Sequence, residues 1–263
     1  MDLLNIMGVL LEVRLISGAA GKAPVVFLHE GLGSVSLWTQ RGLDWPQAVC
    51  GATGRAGIVY SRRGYGQSQA ALRQTDTVSH PARLSVNYMH QEALEVLPCL
   101  LEQLQVEKPV LLGHSDGATI ALLYASRFDA SACIAMAPHV IVEAVSVKAI
   151  AKAKAEFKSG GLKQRLSRHH ADIEGAFWQW NDVWLSADFR AFDIRGECQS
   201  ITAPLLLIQG LDDEYGSLLQ LDEIAWAAPH AQQLRLASCG HSPHRDQPDK
   251  TIAAIQGFLD SIR

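Results

Sequence analysis

Short apolar runs alternate with longer helical patterns along most of this chain, and this alternation is the feature that most restricts its fold. The runs typical of buried strands are PVVFLH, AGIVYS, PVLLGHS, ACIAMAP and PLLLIQG, with AQQLRLAS as a weaker one near the C-terminus. Helical patterns lie between them, such as NYMHQEALEVLPCLLEQLQ and GATIALLYASRF, and PDKTIAAIQGFLDSI closes the chain. The alternation predicts an α/β fold in which helices flank a mostly parallel sheet on both faces.

One region interrupts the alternation. Between residues 139 and 198 the sequence has no convincing strand and instead shows helical patterns, VSVKAIAKAKAEFKSGGLKQRLSRHH and IEGAFWQWNDVWLSADFRAF, with Gly160-Gly161 between helical pieces. We interpret 139–198 as an inserted helical cap, and residues 1–138 together with 199–263 as the core domain. A chain of 263 residues is long enough for one large domain with such an insertion.

Composition and charge argue against several classes of protein. Apolar residues make up 48% of the chain and charged residues 19%, which supplies a packed core and disfavours disorder. The formal net charge of −4 gives no basic surface for nucleic acid or an anionic membrane. The N-terminus lacks the features of a signal peptide, and no window reaches the roughly 18 apolar residues that span a bilayer. We therefore expect a soluble, cytoplasmic protein whose partner is a small-molecule substrate.

The sequence also gives little support for a metal site. Its five cysteines are widely spaced and form no CxxC pair, which disfavours structural zinc and a disulfide framework. His241 and His244 stand three residues apart, but no third ligand lies near them in the sequence. We expect no metal ligands in this chain.

The stretch Gly-His-Ser-Asp-Gly at residues 113–117 joins an apolar run directly to a helical pattern. A G-x-S-x-G pattern is weak evidence alone, but these flanks are the strand and helix that a nucleophile elbow requires. Such a turn holds the serine in a strained backbone conformation, and only small residues tolerate the close approach on either side. Ser115 is therefore a candidate nucleophile at the edge of the sheet where ligands bind. The alternative is a structural serine in a turn.

A serine nucleophile needs a base, and the base needs an orienting carboxylate. His241 follows the last apolar run and so should lie at the same edge of the sheet, with His244 as a rival base. The stretch QGLDDEYG supplies three carboxylates directly after another strand. Its Gly-x-x-Asp spacing favours Asp213 as the orienting acid, with Asp212 and Glu214 as alternatives.

The chain order Ser115, Asp213, His241, together with the elbow, resembles that of the α/β-hydrolase superfamily. FLHEGLGS occupies the place of that family's His-Gly oxyanion loop. YSRRGYGQS resembles its Asp-x-Arg-Gly-x-Gly-x-Ser loop, with Ser61 where an aspartate is common. The resemblance extends over nearly the whole chain and implies an α/β-hydrolase fold.

The resemblance also implies a chemistry, which is acyl transfer. Ser115 would attack a carbonyl carbon, His241 would move the proton, and Asp213 would orient the imidazole and stabilise its cation. Backbone N–H groups of Gly31 and Asp116 would form the oxyanion hole. No metal or organic cofactor is required by this mechanism.

The leading expectation is a serine hydrolase, carboxylesterase-like or thioesterase-like, that cleaves a small apolar substrate through an acyl-enzyme intermediate. The same superfamily contains carbon–carbon hydrolases and cofactor-free oxygenases, which use much the same residues. It also contains small-molecule receptors that are not enzymes. These alternatives stay open at the level of the sequence.

Glu30 poses a question, because a free carboxylate in the oxyanion loop would oppose the negative charge that develops there. We expect a cation from the loop at residues 60–68 to neutralise it, Arg63 first and Arg62 as the fallback. The alternatives are a Glu30 that faces solvent and a Glu30 that contacts the substrate.

Aromatic residues are dense in the stretch AFWQWNDVW of the predicted cap. Trp180 and Trp184 are four residues apart and should share a helix face. We expect Trp178, Trp180 and Trp184 to include residues of an apolar substrate pocket, with His139 also facing the cleft. The alternative is that the tryptophans only pack the cap onto the core.

Overall fold

A computed structural model describes residues 2–70 and 84–262 of the protein. The strands in these residues are β1 (Asp2–Ile6), β2 (Val9–Ile16), β3 (Val25–Leu28), β4 (Thr39–Gln40), β5 (Leu43–Asp44), β6 (Gly57–Tyr60), β7 (Val110–His114), β8 (Ala132–Met136), β9 (Leu205–Gly210) and β10 (Gln232–Leu236). Eight of them form one sheet in the order β1-β2-β6-β3-β7-β8-β9-β10. In the part of the sheet ordered β6-β3-β7-β8-β9-β10, each strand is parallel to its neighbours. Strand β2 pairs antiparallel with both β1 and β6. The predicted mostly parallel sheet is confirmed.

Helices surround this sheet. They are α1 (Trp45–Thr53), α2 (Tyr88–Gln91), α3 (Leu97–Gln103), α4 (Asp116–Ala125), α5 (Ala144–Lys158), α6 (Gly161–Leu166), α7 (Ile173–Trp184), α8 (Arg195–Cys198), α9 (Leu219–Ala227), α10 (Pro243–Asp246) and α11 (Pro248–Ser261). Short 3-10 turns span Val35–Trp38 and Asp188–Ala191, and a π-helical turn spans Glu92–Val96.

The apolar runs form buried strands because the sheet is covered on both faces. Side chains of successive strand residues point to opposite faces. Along β7, Leu111 packs into one hydrophobic layer, whereas Val110 and Leu112 pack into the other. A strand buried on both sides needs apolar residues at every position, which accounts for the continuous runs in the sequence.

The six predicted strands correspond to β3 and to β6 through β10, but the N-terminal hairpin of β1 and β2 was not predicted. The two strands are joined by Met7-Gly8, and both residues have positive φ angles, +53° and +81°. Two-residue hairpin turns need such angles, which suit the twist of the flanking strands. Methionine is an unusual residue at such a position, so the turn is hard to predict from the sequence.

Helices α5 to α8 all lie between β8 and β9, in the region where the sequence predicted helices. Among the described residues 139–198, the β-structure is limited to an isolated bridge between Ile141 and Asp193. Gly160, with φ +95°, separates α5 from α6 as expected. The assignment of 139–198 as a separate cap stays a prediction. No helix in residues 2–70 and 84–262 combines the length and the hydropathy needed to cross a membrane.

Candidate active site

Ser115 lies in the tight turn between β7 and α4. Its φ angle is +55°, in a region that residues other than glycine rarely adopt. The two glycines of the motif allow this turn. A Cβ on Gly113 would lie 2.1 Å from the carbonyl oxygen of Gly117, and one on Gly117 would lie 2.0 Å from that of Leu28. The steric requirement inferred from the sequence is therefore present at both positions.

Three sequence-predicted residues meet at the carboxyl edge of the sheet. Ser115 follows β7, Asp213 follows β9 and His241 follows β10. The Ser115 Oγ atom is 2.9 Å from Nε2 of His241, and Nδ1 of His241 is 2.9 and 3.0 Å from the two oxygens of Asp213. Because a carboxylate only accepts hydrogen bonds, Nδ1 carries the proton and Nε2 can accept from the serine hydroxyl.

Asp213 is held in an ionised state suited to this pairing. Its Oδ1 accepts from the backbone N–H groups of Tyr215 and Gly216, at 2.8 and 3.1 Å, and its Oδ2 accepts from the Gln209 amide. Burial alone would raise the pKa of Asp213, but His241 and then the Tyr215 N–H hold its pKa below the usual value.

The rival acids and the rival base do not occupy the positions of Asp213 and His241. Asp212 is exposed, and Glu214 accepts a hydrogen bond from the backbone N–H of His241 at 3.3 Å. His244 is buried beside Trp38 and Trp45, and burial lowers its pKa. Neither ring nitrogen of His244 has a hydrogen-bond partner in the described part of the chain. The geometry thus brings Asp213 and His241 to Ser115 rather than their neighbours.

A cavity of about 270 Å³ lies next to Ser115. The apolar side chains of its wall are Leu32, Leu37, Ile150, Leu162, Leu166, Trp180 and Trp184. Its polar side chains other than Ser115, Asp116 and His241 are Glu30, His114, His139, Glu214, Tyr215, Ser242 and Arg245. The ring of His139 lies between Trp184 and His241, at centroid distances of 5.0 and 5.6 Å, and burial lowers its pKa to about 3. His139 is therefore a neutral side chain of the wall.

Trp178 does not belong to this cavity, and its prediction as a pocket residue is wrong. Its indole N–H donates to Glu174 at 2.7 Å, and Lys154 lies over its ring. The physical reason is helical periodicity. Trp180 and Trp184 are four residues apart and share one face of α7, whereas Trp178 is two residues from Trp180 and points to another side.

The backbone N–H groups of Gly31 and Asp116 both belong to residues that line the cavity. Neither group has a hydrogen-bond acceptor within residues 2–70 and 84–262. Asp116 begins α4, and the first N–H groups of a helix have no acceptor inside the helix. Two residues whose backbone N–H groups have no acceptor in this part of the chain therefore line the cavity beside Ser115.

Glu30 is paired, but not with the predicted arginines. Its Oε1 is 2.7 Å from Nη2 of Arg245 in α10, and its Oε2 is 3.5 Å from Nδ1 of His114. Burial alone would raise the pKa of Glu30, but Arg245 and then His114 hold its pKa well below the usual value. The sequence signal for Arg245 was its position four residues after His241, at the same edge of the sheet.

Arg62 supports the same loop through the backbone instead of through the Glu30 carboxylate. Its Nη2 donates to the carbonyl oxygen of Glu30 at 2.8 Å, and its backbone N–H donates to Nε2 of His29 at 3.0 Å. The Arg62 guanidinium is buried beneath the loop, so it reaches the main chain and not the Glu30 side chain. The carbonyl oxygen of Arg63 accepts a hydrogen bond from the Gln179 side chain.

The side chain of Asp116 is a further buried carboxylate beside Ser115, and the sequence did not draw attention to it. Its Oδ2 accepts from the Tyr88 hydroxyl at 2.5 Å, and Nη1 of Arg62 is 3.7 Å away. The Tyr88 oxygen in turn accepts from the Trp184 indole N–H at 3.0 Å. Burial raises the pKa of Asp116, and Arg62 and Tyr88 only partly oppose this effect.

Comparisons with known proteins find similarity over most of the chain. A sequence profile of the alpha/beta hydrolase family matches residues 25–254. The chain is 24% identical to an sn-1-specific diacylglycerol lipase from Mus musculus over 278 positions, which cover 95% of this chain and 85% of that protein. It is also 24% identical to 3-oxoadipate enol-lactonase 1 from Acinetobacter baylyi over 282 positions, which cover 98% and 96% of the two chains.

A solved structure extends the similarity to the fold. The enol-lactonase from Burkholderia xenovorans LB400 aligns over 99% of this chain and 100% of its own, with a TM-score of 0.73 and 18% sequence identity. At this level of sequence identity, the similarity shows that the two proteins share a fold.

Proposed function

The chain belongs to the alpha/beta hydrolase family, and from this premise we propose that it is a serine hydrolase acting on a carboxylic ester or thioester. The observation that carries the proposal is the continuous contact from Ser115 through His241 to Asp213, next to an apolar cavity. A hydroxyl in contact with a neutral imidazole that is itself oriented by a carboxylate is an activated nucleophile.

The first half of the reaction forms an acyl-enzyme. Ser115 Oγ bonds to the carbonyl carbon while its proton moves to Nε2 of His241, and the carbonyl electron pair moves onto oxygen. The Gly31 and Asp116 N–H groups donate to that oxygen. When the electron pair returns, the bond to the leaving alcohol or thiol breaks, and His241 gives it the proton.

The second half releases the acid. Water enters the place of the leaving group, His241 takes one of its protons, and the new hydroxyl bonds to the acyl carbon. Collapse of this second tetrahedral species breaks the bond to Ser115 Oγ, which recovers its proton from His241. Throughout, Asp213 remains ionised and stabilises the imidazolium that forms in each half.

The cavity and the relatives both bear on the substrate. A volume near 270 Å³ is slightly below the usual range for ligand pockets, and the apolar part of the lining is leucine, isoleucine and tryptophan, so we propose a small apolar acyl group. The two sequence relatives described above are a lipase and a lactonase, and both names denote cleavage of an oxygen ester. We therefore place oxygen esters ahead of thioesters. Residues 139–198 act as the cap that supplies the tryptophan side of the pocket.

The proposal is tested with a panel of chromogenic esters of increasing acyl length. We expect Ser115→Ala and His241→Ala each to lower kcat by at least ~10³-fold, because the members of such a unit act together. Asp213→Asn should cause a comparable loss, while Asp212→Asn, its exposed neighbour, serves as the matched control and should have little effect.

Two results contradict the proposal in different ways. Turnover that survives Ser115→Ala at the wild-type rate means that Ser115 is not the nucleophile. An Asp212→Asn variant as impaired as Asp213→Asn means that the acid has been assigned to the wrong residue.

A further inference from the structure

The three tryptophans of α7 use their indole N–H groups differently. The Trp178 N–H donates to Glu174 on the surface, and the Trp184 N–H donates to the Tyr88 hydroxyl. The Trp180 N–H has no acceptor within residues 2–70 and 84–262, although its side chain is only 6% exposed. The Trp180 nitrogen itself is not fully buried, and because its side chain lines the cavity, its N–H can donate to an acceptor that enters there.

Trp180 lies against the backbone of the predicted oxyanion loop. A Cβ built on Gly31 would be 2.1 Å from Nε1 of Trp180, 2.6 Å from Cδ1 and 2.7 Å from Cε2. Since this position is close to Nε1 and to both of its ring neighbours, Gly31 lies over the face of the indole ring and not at the end of its N–H bond. The N–H bond lies in the ring plane, so Gly31 does not block it.

The two donors are close enough to share an acceptor. An ideal Cβ lies roughly 2.5 Å from its own nitrogen, so Nε1 of Trp180 is at most about 4.6 Å from the Gly31 nitrogen. One oxygen that accepts at about 2.9 Å from each of two nitrogens can bridge nitrogens up to about 5.8 Å apart. Both residues line the cavity that contains Ser115.

We propose that the Trp180 indole N–H is a third donor to the oxyanion, supplied by the helical segment over the site. The inference rests on the proposed function and adds a residue to it. As Ser115 Oγ bonds to the carbonyl carbon, the carbonyl electron pair moves onto oxygen, and that oxygen accepts from Gly31, Asp116 and Trp180. The bond to Trp180 strengthens as the charge develops, so its removal lowers kcat more than it raises KM.

Two other tryptophans, whose buried N–H groups also have no partner among the residues that the structure describes, differ from Trp180. Trp38 and Trp45 stack on each other at 5.6 Å and pack against His244, and they do not line the Ser115 cavity. Trp180 combines an unpartnered donor, contact with Gly31 and a place in the wall of that cavity.

The test compares Trp180→Phe with Trp178→Phe, a matched control two residues away on the same helix whose indole lies outside the cavity. We expect Trp180→Phe to lower kcat at least ~10-fold, toward the lower end of the range for one oxyanion donor, with KM changed less than about twofold. Trp178→Phe should leave both constants near the wild-type values.

Two further measurements separate a lost hydrogen bond from altered packing. Replacement of Trp180 by benzothienylalanine keeps the fused rings and removes only the N–H, and should reproduce the loss in kcat. An alkylboronic acid, which adds to the serine to form a tetrahedral anion, should bind more weakly to each Trp180 variant by the same factor that kcat/KM falls.

The outcomes distinguish this inference from the proposed function. If the wild-type protein shows Ser115-dependent turnover but the benzothienylalanine variant matches it, the inference alone is overturned. A higher KM with unchanged kcat also overturns it, because the N–H would then contact the ground state. Failure of the wild-type protein to turn over any ester of the panel overturns the proposed function and this inference together.

Discussion

Two of the carboxylates that line the cavity beside Ser115 have surroundings that shift their pKa values in opposite directions. Glu30 is mostly buried but keeps 18% of its side chain exposed, pairs with Arg245 at 2.7 Å, and has a pKa well below the usual value. Asp116 is 1% exposed, accepts from the Tyr88 hydroxyl, and has a raised pKa because burial outweighs the distant Arg62. One carboxylate is neutralised by a cation, and the other is driven by its surroundings toward the neutral acid.

Both arrangements reduce the negative charge close to the place where the oxyanion would form. We assign the backbone N–H groups of Asp116 and Gly31 to the oxyanion hole. One carboxylate is the side chain of Asp116 itself, and the other, Glu30, directly precedes Gly31. A net negative charge at either place would oppose the developing oxyanion in a medium of low dielectric. Pairing with Arg245 offsets the charge of Glu30, and the raised pKa of Asp116 favours its neutral form, so acidic residues can stand on both sides of the nucleophile.

Arg62 connects the two regions, and its removal should have the largest effect. It donates to the Glu30 carbonyl oxygen and lies 3.7 Å from the Asp116 carboxylate, with 3% of its side chain exposed. We expect Arg62→Met to lower the free energy of unfolding by about 3–5 kcal/mol, since buried groups on both sides lose a partner. Urea unfolding followed by tryptophan fluorescence measures this change.

Arg63→Met is the control for this prediction. Arg63 is only half-buried, and its carbonyl oxygen accepts from Gln179, a contact that the substitution leaves in place. We expect it to cost less than half as much as Arg62→Met. Equal losses would show that Arg62 does not have a special place between the two carboxylates.

Arg245→Met should break the pairing of Glu30 and leave the Asp116 region intact. Without Arg245, burial is less opposed and the pKa of Glu30 rises. Below the new pKa, Glu30 is neutral and activity is largely retained. Above it, the unpaired carboxylate opposes the oxyanion, so kcat falls as the pH rises, by on the order of 10-fold to 100-fold for a charge a few ångströms away.

The pH profile of kcat measures this prediction, and two variants control it. Arg245→Lys keeps the positive charge and should preserve most of the activity at high pH. Glu30→Gln combined with Arg245→Met removes both charges and should abolish the new pH dependence. A single Arg245→Met variant whose profile follows that of the wild type contradicts a role for the pair in the oxyanion site.

The sequence predicted those parts of the site that depend on strand ends and chain order. Ser115, Asp213 and His241 each follow an apolar run, and the carboxyl ends of parallel strands meet at one edge. The turn at Ser115 was equally predictable, because its geometry requires glycine on both sides. The spacing of Trp180 and Trp184 predicted that they share a face, and both line the cavity.

The partners of the charged groups were not predictable in the same way. The family-like loop suggested Arg63 for Glu30, but which of several nearby arginines reaches a carboxylate depends on side-chain direction and depth. Arg62 turns under the loop to the main chain, and Arg245 approaches from the short helix after His241. The contact of Tyr88 with Asp116 joins residues 28 positions apart, and no spacing in the sequence marks it.

Asp116→Asn should have the smallest effect and therefore tests the other half of the comparison. If burial keeps the Asp116 carboxyl close to its neutral form, an amide of the same shape replaces it with little electrostatic change, and its oxygen still accepts from the Tyr88 hydroxyl. We expect kcat to fall by no more than about threefold, which is less than 1 kcal/mol in the activation barrier. Asp116→Ala, by contrast, leaves the buried Tyr88 hydroxyl without its acceptor and should cost about 1–3 kcal/mol of stability. If Asp116→Asn instead lowers kcat more than 10-fold and also lowers the melting temperature, the ionised carboxylate is paired with Arg62, and both flanks of Ser115 rely on charge pairing.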